Sequence, residues 1–155
     1  MNFDALVLEG GSLKCAFTAG ILDVLMDSDF PEFKYYYGVS SGSMAMSYLL
    51  SKQRSNFIKV TRALVEDPNF ISYRNTFSQQ GLMNLDFLQG YVHESYPFDE
   101  EAADRNSVGK KVCIVATDHL SGKPHYLTPS KGKWLNYMMA SATLPFITKG
   151  RTKVD

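Results

Sequence analysis

The sequence predicts an α/β fold in which a mostly parallel β-sheet is flanked by helices. Short apolar segments alternate along the chain with longer segments whose apolar residues show helical spacing. Residues 112–116 (Val-Cys-Ile-Val-Ala) form an uninterrupted apolar run, which is typical of a strand buried on both faces of a parallel sheet. Residues 5–8 form a second apolar run, and glycines follow it at once. Strands that alternate with helices in this way predict the α/β class.

The remaining elements follow from apolar spacing and from turn-forming residues. A helix is predicted over residues 17–25, because apolar residues recur there at helical offsets and share one face. Those residues are Phe17, Ile21, Val24 and Leu25. Further strands are predicted at residues 34–39 and 125–127, and further helices at residues 43–50, 55–66, 134–142 and after a capping Asn84. The acidic segment 97–109 is expected to be a solvated loop, and residues 67–84 are expected to be irregular.

Length and composition fit one globular domain over residues 1–155. Apolar residues make up 45% of the chain and aromatic residues 13%, which is enough for a hydrophobic core. Lysine plus arginine and aspartate plus glutamate number 16 each, so no net charge attracts nucleic acid and we expect no nucleic-acid partner. The two cysteines, Cys15 and Cys113, make neither a disulfide framework nor a zinc motif, and we expect no metal or other cofactor.

The first residues do not resemble a secretory signal. They include the acidic Asp4 and no basic segment, and the apolar run that follows is too short for a signal peptide. No segment approaches the ~18 consecutive apolar residues of a membrane-spanning helix. We therefore expect a cytoplasmic protein, and peripheral contact with a membrane surface stays open.

A pentapeptide places a serine between a predicted strand and a predicted helix. Its residues are Gly38, Val39, Ser40, Ser41 and Gly42. Gly-x-Ser-x-Gly alone is a weak signal, because serine and glycine are common. On a sharp strand-to-helix turn, however, the glycines let both elements pack closely and the serine Oγ projects above the sheet edge. The following helix directs its N-terminal amides towards a developing oxyanion. We therefore predict that Ser40 is the nucleophile of a serine acyl hydrolase.

A glycine loop follows the first predicted strand, at residues 9–14 (Glu-Gly-Gly-Ser-Leu-Lys). Backbone amides at Gly10, Gly11 and Ser12 can converge on an anion. Loops that follow neighbouring parallel strands meet at the same edge of a sheet. The glycine loop and Ser40 are therefore expected to face each other across one crevice.

Two other protein classes fit the motifs less well. A nucleotide-binding loop would need the Gly-x-Gly-x-x-Gly pattern, which is not met, and Asp29 is a poor candidate for its acidic ribose partner. In an α/β-hydrolase the nucleophile follows several strands. Here Ser40 follows only two predicted strands, and that order does not suit the α/β-hydrolase fold.

Together these motifs resemble those of the patatin-like phospholipases, and the resemblance extends through most of the chain. It rests first on the glycine loop followed by the Ser40 pentapeptide. Residues 116–124 resemble the family's segment after its third core strand. Residues 140–146 resemble the helix-to-proline segment that precedes its last motif. Residues 54–88 look most like a bacterial branch of these proteins.

The resemblance implies a three-layer α/β fold and a lipid acyl hydrolase that cleaves phospholipids or other fatty-acyl esters through a serine–aspartate dyad. Ser40 would be the nucleophile, and the backbone amides of Gly10, Gly11 and Ser12 would form the oxyanion hole. Lys14 falls where the family has a basic residue that can contact an anionic headgroup, although a solvated lysine explains it equally well. A non-catalytic module of the same fold, which binds lipid or a partner protein, is the alternative.

The chain departs from the family pattern in two respects. Ser12 and Cys15 stand where the family usually has glycine. The catalytic aspartate of the family lies in an Asp-Gly-Gly or Asp-Gly-Ala motif, and neither occurs in the 155 residues. Residues 153–155 fall just short of the place where the resemblance puts that motif. We therefore expect an N-terminal portion of a longer protein, truncated within the domain at its C-terminus, that lacks the base and is inactive alone.

Other side chains offer weaker alternatives for the site. Three histidines are candidate bases but are expected at the surface, and a nearby aspartate is expected in a turn: His93, His119, His125 and Asp118. Several apolar residues are candidates for an acyl channel, although ordinary core packing is the favoured interpretation: Met44, Met46, Tyr48 and residues 35–37.

Overall fold

The computed structural model describes residues 3–28, 32–72, 81–145, 147–150 and 152–154. Within these ranges the strands are β1 (Ala5–Leu8), β2 (Tyr35–Val39), β3 (Lys111–Thr117) and β4 (Pro124–Leu127). The helices are α1 (Cys15–Met26), α2 (Ser41–Leu50), α3 (Asn56–Glu66), α4 (Leu85–Ser95), α5 (Glu100–Ser107) and α6 (Trp134–Ala142), and a 3-10 turn at Ser12–Lys14 precedes α1.

The four strands form one sheet in the order β1-β2-β3-β4. The first three strands are parallel and β4 is antiparallel to β3. Leu8 lies opposite Gly38, and Val39 lies opposite Val115, so the carboxyl ends of the parallel strands meet at one edge. The predicted α/β class, with a mostly parallel sheet flanked by helices, is confirmed.

One face of the sheet carries the hydrophobic core. Its buried side chains come from all four strands: Leu8, Tyr36, Val112, Ile114, Ala116 and Leu127. Helix α2 packs against β2 and is buried along almost its whole length. Small residues such as Ser43, Ala45 and Ser47 let this helix approach its neighbours closely. On the opposite face Val7 and Tyr35 are exposed.

Helix α6 is anchored by Trp134, the single tryptophan of the chain. Its side chain is fully buried, and its ring centroid lies 5.8 Å from that of Phe98. Its indole N–H donates to the Oδ1 of Asp104 at 2.7 Å, which satisfies the buried polar group. Because α6 also packs against β3, its last turn reaches the carboxyl end of the sheet.

The predicted first helix is present, but its predicted apolar face is exposed. Phe17, Ile21 and Val24 are 78%, 48% and 65% exposed. The buried face instead carries smaller or polar residues, namely Cys15, Ala19, Leu22 and Asp23. Asp23 is kept there because its carboxylate accepts from the N–H and the hydroxyl of Ser55, each at 2.9 Å. These bonds connect α1 to the start of α3.

The prediction of a loop over residues 97–109 is wrong, because α5 lies within this segment. Asp99 caps the helix by accepting from the amide of Ala102 at 2.8 Å, and Glu100 and Glu101 lie in its first turn. Acidic residues are stabilised at a helix N-terminus by its partial positive charge. The acidic residues Asp99, Glu100 and Glu101 therefore mark the start of a helix and do not form a solvated loop.

The cap predicted at Asn84 is confirmed, since its side chain accepts from the amide of Phe87 at 3.0 Å. Some predictions lie outside the described residues: Asp29, Phe146, Asp155 and the middle of the irregular segment 67–84. Over the described ranges, none of the helices is long and apolar enough to cross a lipid bilayer.

Candidate active site

Ser40 lies on a sharp turn between β2, which ends at Val39, and α2, which begins at Ser41. Its φ is 52° and its ψ is −130°, a combination that non-glycine residues rarely adopt and that costs on the order of 1–3 kcal/mol. The N–H and the hydroxyl of Ser43 donate to the carbonyl of Ser40 at 2.9 and 2.6 Å. The fold thus maintains backbone strain at the predicted nucleophile.

The two glycines of the pentapeptide are places of close backbone approach. A methyl group on Gly38 would lie 2.6 Å from the Cα of Ser43. A methyl group on Gly42 would overlap the carbonyl oxygen of Glu9 and lie 2.6 Å from that of Leu8. Neither position has room for a side chain, so glycine lets the end of β1 pack directly against the turn.

The glycine loop lies beside Ser40, as the parallel strands predict. A methyl group on Gly10 would lie 2.9 Å from the Cβ of Ser40. The amide of Gly11 donates to the Oγ of Ser41 at 3.2 Å. The two motifs, which are separate in sequence, therefore form one contiguous surface.

Ser12 and Cys15 occupy the two loop positions that depart from glycine. Ser12 adopts a φ of 51°, in the left-handed region where a side chain is strained. Cys15 is buried, and its Sγ accepts from the hydroxyl of Ser41 at 2.9 Å and donates to the carbonyl of Glu9 at 3.5 Å. Cys15 therefore ties the start of α1 to both the glycine loop and the turn.

Ser141 is a contact of the turn that the sequence did not reveal. Its hydroxyl accepts from the amide of Ser40 at 2.7 Å and donates to the carbonyl of Val115 at 2.6 Å. Ser141 lies on α6, far from Ser40 along the chain. One serine among the small residues of a helix carries no local signal for such a contact, and only the resemblance of residues 140–146 to a family segment pointed to this region.

An apolar cavity of about 400 Å³ opens beside Ser40. The glycine loop and Ser40 form part of its wall, and helices α2, α3, α4 and α6 form most of the rest. Apolar side chains dominate this wall, among them Met44, Tyr48, Val60, Leu64, Leu88 and Met138. Of the residues considered for an acyl channel, Met44 and Tyr48 line the cavity. Met46 is fully buried in the core instead, and residues 35–37 lie in β2.

Two hydroxyl groups of the cavity wall form hydrogen bonds to backbone carbonyls. The hydroxyl of Thr61 donates to the carbonyl of Phe57 at 2.7 Å. The hydroxyl of Tyr48 lies 3.4 Å from the carbonyl of Tyr96, and burial raises the pKa of Tyr48 to about 12. Both hydroxyls stay neutral at physiological pH, so the wall presents an uncharged, apolar surface that suits a hydrocarbon chain.

The alternative bases considered from the sequence are at the surface. His93, His119 and His125 are exposed, as expected. Asp118 is a turn residue: it accepts from the hydroxyl and amide of Ser121, and these hydrogen bonds lower the pKa of its carboxyl. Lys14 is exposed at the end of the 3-10 turn.

In the part of the chain that the structure describes, the Oγ of Ser40 forms no hydrogen bond. The same part contains no group of three or more histidine, cysteine, aspartate or glutamate side chains that could hold a metal ion. The described site thus consists of a strained serine, backbone amides and an apolar cavity.

Comparisons with known proteins identify one family and one relative. A family model for patatin-like phospholipases matches residues 6–155. The uncharacterized protein YjjU of Escherichia coli (strain K12) is 30% identical over 142 residues. That match covers 91% of this chain and 40% of YjjU, so the chain spans less than half the length of this relative.

Proposed function

The chain belongs to the patatin-like phospholipase family, and on that premise we propose that the full-length protein hydrolyses fatty-acyl esters through Ser40. The family acts on lipids and is generally hydrolytic. The observation that carries the proposal is the apolar cavity, which opens directly beside the strained serine. A deep apolar site with one nucleophile at its wall suits a long acyl chain better than a polar substrate.

In the proposed reaction the Oγ of Ser40 attacks the carbonyl carbon of the ester, and its proton passes to a general base. The bond to the alcohol then breaks, the base protonates the leaving alkoxide, and the acyl group stays on Ser40. Water, deprotonated by the same base, attacks this acyl-enzyme and releases the fatty acid. Backbone amides of Gly10, Gly11 and Ser12 are proposed to stabilise the oxyanion formed in each step. The Gly11 amide donates to the Oγ of Ser41 in this structure, so it would exchange that bond for one to the oxyanion.

The base in this proposal is an aspartate of the family's Asp-Gly-Gly or Asp-Gly-Ala motif. The 155 residues contain neither sequence, and we place this aspartate outside them. The relative YjjU, of which the match covers 40%, is long enough to hold such a motif outside the matched part. The 155-residue chain alone is then expected to lack turnover.

A phospholipid is the proposed substrate class, with other acyl esters as smaller analogues. The exposed Lys14 lies at the end of the glycine loop, where its ammonium group would attract the phosphate of a headgroup. We further propose that the protein is cytoplasmic and meets its substrate at a membrane surface.

The test is active-site labelling of the full-length protein with a fluorophosphonate probe, together with hydrolysis of p-nitrophenyl esters. We expect the probe to modify Ser40, and Ser40→Ala to abolish both labelling and hydrolysis. Ser47→Ala is the matched control, because it removes a fully buried hydroxyl of α2 that donates to the carbonyl of Ser43 and does not contact the cavity. It should keep both activities.

Hydrolysis that survives Ser40→Ala would contradict the proposed mechanism. If the unmodified protein is not labelled but binds phospholipid vesicles, the non-catalytic lipid-binding module replaces the hydrolase as the function of this fold.

A further inference from the structure

We propose that Ser141 is a positioning residue, whose hydroxyl bonds both backbone groups at the last rung of the β2–β3 ladder and thereby holds the nucleophile in its turn. The inference deepens the proposed function and rests on Ser40 being the nucleophile. Ser141 does not line the cavity, so its action passes through the backbone of Ser40.

The pairing of β2 with β3 identifies this rung. The ladder begins with the amide of Lys111, which donates to the carbonyl of Lys34 at 2.8 Å. In a parallel pair, equivalent hydrogen bonds recur every two residues along each strand. With Val39 opposite Val115, this alternation brings the amide of Ser40 to face the carbonyl of Val115. A regular sheet would join these two groups directly.

The hydroxyl of Ser141 bonds to both of these backbone groups. It accepts from the amide of Ser40 at 2.7 Å and donates to the carbonyl of Val115 at 2.6 Å. One buried side chain therefore ties the two strands together at the point where the chain leaves the sheet and turns at Ser40.

The position of Ser141 is itself well fixed. Its side chain is 7% exposed, and α6 packs against β3 and α2. At the other end of α6 the buried Trp134 binds Asp104. A rigid helix thus carries the hydroxyl to the turn, which is the condition for holding a reactive group to within a fraction of an ångström.

The carbonyl and the amide of Ser40 therefore form hydrogen bonds to side chains of two different helices. Ser43 of α2 binds its carbonyl, and Ser141 of α6 binds its amide. The strained φ of 52° is maintained by these contacts together with the close glycines. Without Ser141 the amide of Ser40 loses this bond, and the turn that orients the Oγ towards the ester carbonyl is held from one side less.

The test compares Ser141→Ala, Ser141→Thr and Ser47→Ala in the full-length protein, with kcat, KM, labelling rate and Tm measured for each. Ser47→Ala is the stability-matched control, since it also removes a buried helix hydroxyl bound to a carbonyl. For Ser141→Ala we expect kcat and the labelling rate to fall by about 10- to 100-fold, with KM changed less than about threefold. Ser141→Thr, which keeps the hydroxyl, should recover most of the lost rate.

A fall in kcat for Ser141→Ala no larger than that for Ser47→Ala would overturn the inference. If Ser141→Ala does not fold, the same measurements are made on Ser141→Cys, because a thiol is close to a hydroxyl in size and shape but forms only weak hydrogen bonds. Wild-type kcat in Ser141→Cys would then overturn it. Failure of the proposed function would give a different result, because hydrolysis would then survive in Ser40→Ala.

Discussion

The amide nitrogen of Gly11 lies 3.2 Å from the Oγ of Ser41, so the residue after the predicted nucleophile holds the loop that faces it. The same hydroxyl donates to the Sγ of Cys15 at 2.9 Å. One side chain therefore connects the glycine loop, the turn and the start of α1. The relative position of Ser40 and the amides proposed for the oxyanion hole depends on this connection.

Ser41→Ala is expected to slow fluorophosphonate labelling of Ser40 in the full-length protein by about tenfold, because the glycine loop loses the hydroxyl that connects it to the turn and to Cys15. Ser47→Ala, on the same helix, provides the comparison for the general cost of losing a buried hydroxyl. Equal labelling rates in the two variants would show that Ser41 does not organise the site.

Val60→Phe is expected to shift ester preference towards short acyl chains, because Val60 is 3% exposed and lines the cavity. The larger ring fills space that a long chain needs, and poor fit in an apolar pocket costs about 10- to 200-fold in kcat/KM. The measurement is kcat/KM for p-nitrophenyl esters from acetate to palmitate. Val65→Phe is the matched control, since Val65 lies on the same helix and is 55% exposed. An unchanged chain-length profile in Val60→Phe would place the acyl chain elsewhere.

Gly42→Ala is expected to destabilise the protein by more than about 2 kcal/mol, because its methyl group meets the backbone of Glu9 and Leu8 and cannot be relieved by a side-chain rotation. Gly90→Ala is the control: it lies inside α4 with open space around it, so alanine should stabilise by about 0.5–1 kcal/mol. Urea unfolding measures both. A fully stable Gly42→Ala protein would show that β1 and the turn are not as close as described.

The stability of the fold should fall in alkali through Tyr48. Its pKa is raised to about 12 from 10.0 by burial, so the folded state holds the phenolic proton more tightly than the unfolded chain does. This contribution is complete below pH 10 and is lost as pH rises from about 10 to about 12, by on the order of 2 kcal/mol. In Tyr48→Phe the free energy of unfolding should decline less over this interval.

The control for that titration is Tyr126→Phe, which removes a tyrosine that is 60% exposed. Urea unfolding at pH 9 and near pH 11.5 gives the decline for each protein. A decline in Tyr48→Phe as large as in wild type would mean that Tyr48 does not carry the effect.

The sequence predicted those parts of the fold that depend on local pattern. The apolar run of β3 and the helical spacing in α3 and α4 predicted the right elements, because burial dictates such patterns directly. The apolar run at residues 5–8 also forms a strand, but β1 is only partly buried, since Leu8 is 7% exposed and Val7 is 69% exposed. The glycines at 38 and 42 were also informative, since a crowded backbone turn admits no other residue. The nearness of the glycine loop to Ser40 followed from parallel strands alone.

Contacts between distant segments could not be predicted in this way. The buried face of α1 holds Asp23, which is explained by its bonds to Ser55, the residue before α3, and the apolar Phe17 is exposed. Helix α5 differs from the predicted loop because its acidic residues are typical of a solvated loop as well as of a helix N-terminus, where Asp99 acts as the cap. The hydroxyl of Ser141, on α6, accepts a hydrogen bond from the amide of Ser40, and no local sequence pattern specifies such a bond.

The burial of Trp134 gives the 155-residue chain an optical reporter of the helix that bonds its predicted nucleophile. The chain has one tryptophan, and it lies on the same helix as Ser141. Its fluorescence emission therefore reports whether α6 is docked on the sheet. If α6 detaches, water reaches the indole and the emission shifts to the red, while the amide of Ser40 loses its hydroxyl partner at the same moment. In the 155-residue chain, a variant that keeps blue emission has kept α6 docked, and one that shifts to the red has lost that contact.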